Sequence, residues 1–143
     1  MDNFFTVLGG MGSLATESFV RLLNARTPSN QDQDYLDYLV VNHATVPDRS
    51  AYIMDHKQPD PLPALLGDIK QQSSLQPKFF VLTCNSAHYF YDQLQAATAI
   101  PILHMPKLAV EQIKNLFPSA HRIGILGTPG TINNGIYERI LIS

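Results

Sequence analysis

Apolar residues fall along this chain in short blocks, and the blocks alternate between strand-like runs and helical stripes. Phe4–Leu8 is a short apolar strand that ends in Gly9, Gly10, Met11 and Gly12. Leu14–Ala25 follows with Phe19, Leu22 and Leu23 on one helical stripe. The polar stretch Thr27–Asp34 carries Pro28 and reads as a loop, and Tyr35–Asn42 reads as a second strand. Pro47 blocks continuation in a sheet interior, which leaves Asp48 and Arg49 in the loop beyond that strand. Lys57–Pro63, with prolines at 59, 61 and 63, reads as a surface loop able to cover a site. Ala64–Leu75 is the next helix, with Leu65, Leu66 and Ile69 as its stripe. Phe79–Leu82 is a buried strand, and a helix opened by Asn85 and Ser86 runs on to about Ala97. Ile100–Met105 gives a fourth strand, Pro106–Phe117 a helix, Arg122–Leu126 a fifth strand and Ile132–Ile142 a last helix.

Strands alternating with helices predict an α/β fold, a largely parallel sheet of Rossmann-like or flavodoxin-like order with helices on both faces. A faint internal echo, strand then Gly-rich turn then helix, links the start of the chain to Arg122–Asn134. We therefore expect one complete α/β domain over residues 1–105, then a linker helix and the opening of a second, similar domain over 106–143.

Composition narrows the function. The 143 residues are 45% hydrophobic and 15% charged, values of a globular domain rather than a disordered one. A formal net charge of −2 offers no electrostatic case for nucleic acid or a membrane surface. A single cysteine makes no internal disulfide, so a reducing, cytoplasmic setting is expected. No apolar run approaches membrane-spanning length, and the N-terminus lacks a basic-then-apolar signal pattern.

That cysteine, Cys84, stands where an apolar strand gives way to a helix, the end of the sheet at which open α/β folds bind ligands. Position alone also fits a buried structural thiol. The turn Gly9–Gly12 lets the backbone approach a ligand closely, but it is neither GxGxxG nor a phosphate loop. Arg49 at a strand end suits a carboxylate held by two parallel hydrogen bonds; the plainer reading pairs it with Asp48 or another surface acid. The five histidines never pair at an i, i+4 metal spacing, so no metal site is expected. A Cys84–His88 hydrolase dyad is a further possibility on residue type.

Several short motifs occur in order: GGMG at Gly9–Gly12 with Ala15 and Thr16, VPDR at Val46–Arg49, CNSAH at Cys84–His88, Ile100-Pro101, and GTPGT at Gly127–Thr131. Together they resemble the aspartate/glutamate racemase superfamily, most closely its aspartate or broad-specificity amino-acid racemase branch. The resemblance implies two similar α/β domains, a small amino-acid substrate between them, no cofactor, and one cysteine from each domain flanking the α-carbon. It makes Cys84 a catalytic acid/base. It makes Met11, Gly12, Arg49, Asn85, Ser86, Thr128 and Thr131 substrate-binding residues. Two departures are mild: Ser13 stands where family members usually have Pro, and Ser86 where they have Thr. A third is large: family chains are longer, and the Gly-Cys-Thr-Glu type motif carrying their second cysteine is absent here. The expectation is thus a racemase truncated before its second catalytic cysteine and impaired or inactive by itself. Its unfinished C-terminal segment is expected to drive homo-oligomerisation, most simply to a dimer. The alternative is a catalytically dead dicarboxylate-binding or interaction protein.

Overall fold

The computed structural model describes residues 1–142. Its centre is a four-stranded, all-parallel sheet of β1 (Phe5–Gly9), β2 (Tyr38–Asn42), β3 (Phe80–Leu82) and β4 (Ile102–Leu103) in the order β2-β1-β3-β4. The chain steps from β1 to one neighbour and then returns to the other side of β1. That order is flavodoxin-like, and it puts the topological switch point between the carboxyl ends of β1 and β3.

Side-chain alternation along β1 and β3 divides the core. Leu8, Phe80 and Leu82 face Leu65 and Ile69 of α3 (Leu62–Ser73) and Leu94 of α4 (Tyr91–Ala96). Phe5, Val7 and Val81 face the other way, against Phe19 and Leu23 of α1 (Ser13–Arg26). Both faces of the sheet are therefore covered, as the strand–helix alternation predicts. Leu22 is the exception on the α1 stripe, being left exposed.

Other expectations are corrected. Arg49 is not in a loop: α2 (Arg49–Met54) begins there, and the Asp48 carboxylate caps it by accepting from the N–H groups of Ser50 and Ala51. Pro47 ends the extended run, but one residue later the chain meets a strong N-cap. The helix after Cys84 is not continuous; a 3₁₀ turn at Ser86–Phe90 precedes α4, and the Asn85 side chain does not cap it. Arg122–Leu126 is not a strand. It joins no ladder, and Leu126 is 99% exposed. An apolar run becomes a strand only when a neighbour accepts its backbone hydrogen bonds, and none of the described strands lies alongside. The last helix is two, α6 (Pro129–Asn133) and α7 (Ile136–Ile142), broken at Gly135 with φ +63°. These pack back on the body of the fold, α6 against α2 and α7 against α5 (Met105–Leu116).

The turn after β1 leaves no room for a side chain at Gly9 or Gly10. Gly10 has φ +86°, and a Cβ there would lie 2.4 Å from the backbone nitrogen of His43. Gly12, two residues on, faces open space. Gly10→Ala should cost roughly 3 kcal/mol through left-handed strain and backbone collision. Gly12→Ala should cost under about 1 kcal/mol. Urea unfolding of the two variants checks the contrast.

Candidate active site

Three loops at the carboxyl ends of the strands meet a fourth from the C-terminal segment. They enclose a cleft of about 570 Å³, lined by Met11, Ala15, Asp48, Arg49, Ser50, Thr83, Cys84, Asn85, Ser86, Gly127, Thr128, Pro129 and Thr131. Every site residue expected from sequence lines it except Gly12, which is the N-cap of α1. Lys57–Pro63, read as a possible cover, contributes none of the lining.

The wall is set by hydroxyls. Thr16, in the first turn of α1, accepts from Gly10 N–H at 3.0 Å and donates to the Gly12 carbonyl at 3.0 Å. Its hydroxyl lies 3.0 Å from that of Thr83, which must then be the donor, because Thr16 has a single proton to give. The residue before Cys84 is thereby tied to the glycine turn after β1. Cys84 is 7% exposed as a residue, and its thiol lies 3.4 Å from the Ser86 hydroxyl.

Arg49 is a brace in this structure. Its Nη1 donates to the carbonyls of Val46 and Pro47, and its Nη2 to that of Met11 at 2.8 Å, while the buried Nε has no partner. It therefore pins the turn after β1 to the turn before α2. The pairing with Asp48 weighed above is not formed; Asp48 Oδ1 accepts from the Ser50 and Ala51 N–H groups at the helix cap, and the Arg49 guanidinium turns to the three carbonyls instead. Thr128 caps α6, and its hydroxyl lies 3.1 Å from those of both Ser50 and Thr131. Gly130 allows this approach: a Cβ there would sit 2.6 Å from Ser50 Cα.

The histidines near the strand ends are committed elsewhere. His43 Nδ1 lies 2.8 Å from an Asp68 carboxylate oxygen on α3. His104 caps α5 by accepting from Lys107 N–H. His88 is buried; its Nδ1 donates to the Cys84 carbonyl at 2.8 Å, and its Nε2 accepts from Met105 N–H at 3.3 Å. Both ring nitrogens face backbone, so His88 holds the chain at Cys84 without reaching the thiol, and a Cys84–His88 dyad is not formed. Among the described residues no three His, Cys, Asp or Glu side chains converge on a metal-sized position.

Thr16, Thr83 and Ser50 were not singled out as site residues from sequence, nor was Tyr137, whose phenol donates to Asn85 Oδ1. Thr83 had a local signal, as the polar residue ending an apolar run. Tyr137 had none, because its partner is 52 positions away.

A family model described as Asp/Glu/hydantoin racemase matches residues 8–143. The broad-specificity amino-acid racemase RacX of Bacillus subtilis (strain 168) is 27% identical over 139 residues, covering 94% of this chain and 59% of that protein. The solved aspartate racemase of Picrophilus torridus has a TM-score of 0.85 at 26% identity, covering 98% of this chain and 58% of its own. An aspartate racemase homologue from Pyrococcus horikoshii OT3 shares the fold, with a TM-score of 0.70 at 14% identity over 99% of this chain and 61% of that one. The chain thus spans about three fifths of the length of the relatives it matches.

Burial has a consequence for pH. It holds the His88 pKa down at about 4, against the help of the Cys84 carbonyl and with a further push from neighbouring His104. The unfolded chain takes up this proton near pH 6.5, whereas the folded chain resists until about pH 4. The contribution of neutral His88 is complete above pH 6.5 and is lost as pH falls from there towards 4, about 3 kcal/mol in all. Urea unfolding from pH 7 to 4 should show this loss beyond that of His88→Gln, whose side chain does not titrate.

Proposed function

The chain belongs to the Asp/Glu/hydantoin racemase family, and from that premise we propose that it moves a proton at the α-carbon of a small acidic amino acid, with Cys84 as the acid/base. The observation that carries this reading is the convergence of one thiol with hydrogen-bond donors in a single cleft. Cys84, Asn85, Ser86, Thr128 and Thr131 all line that cleft. The names of the relatives, an amino-acid racemase and an aspartate racemase, support the substrate class.

In the proposed step the Cys84 sulfur takes the α-proton: the C–H bond breaks, an S–H bond forms, and the electron pair stays on the substrate carbon. Without a cofactor to spread that charge, stabilisation falls to fixed donors around the carboxylates. Asn85, Ser86, Thr128 and Thr131 are assigned to that role. The Ser86 hydroxyl, 3.4 Å from the sulfur, steadies the thiolate. Arg49 acts from behind, holding Met11 and the turn before α2 in place. In this reading residues 1–105 supply the thiol, and residues 106–143 open a second domain that supplies Thr128 and Thr131.

Inversion needs a second acid/base on the opposite face. The chain holds one cysteine, no histidine lines the cleft, and the one carboxylate that does, Asp48, caps α2 through its Oδ1. Racemisation by this chain alone is accordingly impaired, and the proton returns from the side on which it left. In deuterated water, aspartate or glutamate should exchange its α-hydrogen slowly with retained configuration, followed by NMR and optical rotation together. Cys84→Ala should slow exchange by roughly 100- to 10,000-fold. Rapid inversion by the parent chain, or exchange undiminished in Cys84→Ala, would overturn the mechanism.

A further inference from the structure

Tyr137 lies on α7, well outside the loops that carry Cys84, yet its phenol donates to Asn85 Oδ1 at 2.5 Å across 52 positions of chain. The ring is partly buried beside the C-terminal segment, and burial raises the phenol pKa above its ordinary value, so it remains a protonated donor at neutral pH. Asn85 itself is exposed to the cleft. A side-chain amide anchored by its oxygen has its two Nδ2 hydrogens on the other side. Among the described residues no protein acceptor takes them. We propose that Tyr137 is a positioning residue, which by holding Asn85 Oδ1 presents the Nδ2–H₂ group to the cleft beside Cys84 as a preset donor for a substrate carboxylate.

The physical gain is orientation. The terminal torsion of an unanchored Asn is broad and roughly two-fold, so its carbonyl oxygen faces the cleft for part of the time. An oxygen there repels a carboxylate, whereas an NH₂ attracts it. A bond from Tyr137 removes the wrong orientation before substrate arrives, and it makes carboxylate binding depend on the seating of α7. The inference rests on the racemase reading above, in which Asn85 meets the substrate.

Tyr137→Phe tests it, because the ring stays and only the hydroxyl goes. Titration with D- and L-aspartate, followed through backbone and Asn85 side-chain amide resonances, should show roughly tenfold weaker binding than the parent. The exchange rate at saturating aspartate should fall as well, since Asn85 is among the donors assigned to the charge that develops on proton removal. Asn85→Ala should weaken binding by at least as much, and adding Tyr137→Phe to it should have no further effect. Unchanged affinity in Tyr137→Phe alongside weakened affinity in Asn85→Ala would overturn the role of Tyr137 and leave the racemase reading standing. Additive losses in the double variant would do the same. A parent chain that binds neither aspartate nor glutamate would overturn both.

Discussion

One buried hydroxyl, that of Thr16, holds the carboxyl end of the sheet together at the cleft. It closes the glycine turn on itself through Gly10 and Gly12 and receives the proton of Thr83 from the adjacent strand end. The arrangement demands glycine: a Cβ on Gly9 would sit 2.4 Å from the Thr16 side chain, and one on Gly10 would strike the backbone at His43. Cys84 follows directly on Thr83, so the position of the thiol inherits the rigidity of this knot. His88 completes it from below by spending both ring nitrogens on backbone at Cys84 and Met105. A buried, doubly bonded imidazole stabilises only while neutral, so the geometry that steadies the thiol also makes the fold acid-sensitive.

The remaining walls depend on contacts far apart in sequence. Arg49 draws the turns at Met11 and Val46–Pro47 together, while the hydroxyls of Ser50, Thr128 and Thr131 cluster where α6 meets α2. The C-terminal segment is thereby seated on the same cleft as Cys84, and Tyr137 extends its reach to Asn85. Loss of any of these links acts on orientation at the cleft rather than on the composition of its lining.

Much of the architecture was legible because the buried strands announce themselves. Phe5–Gly9 and Phe80–Leu82 are buried along their whole length and apolar but for Thr6, as expected of strands covered by helices on both faces. The loops that gather at the switch point followed from the strand–helix alternation, whereas the residues expected on them came from the resemblance of their motifs to the racemase family. The failures share a cause. Arg122–Leu126 has a strand's composition, but pairing is decided by a neighbour, not by the segment itself. Arg49 was weighed as a partner of Asp48 or another surface acid, whereas its guanidinium reaches the Met11 carbonyl 38 positions away. The Cys84–His88 dyad was the lesser reading because residues four apart on a helix start need not meet, and the 3₁₀ turn indeed aims His88 at the carbonyl instead of the thiol. In each case local pattern set the segment, and a distant partner set its role.

The central claim is that the Cys84 thiol faces a cleft occupied by an acidic amino acid. As Cys84 is the only cysteine, alkylation by iodoacetamide followed by mass spectrometry reads this one site without ambiguity. Aspartate at ten times its dissociation constant should slow the modification roughly tenfold by mass action. A rate that neither aspartate nor glutamate alters at any concentration would contradict the account.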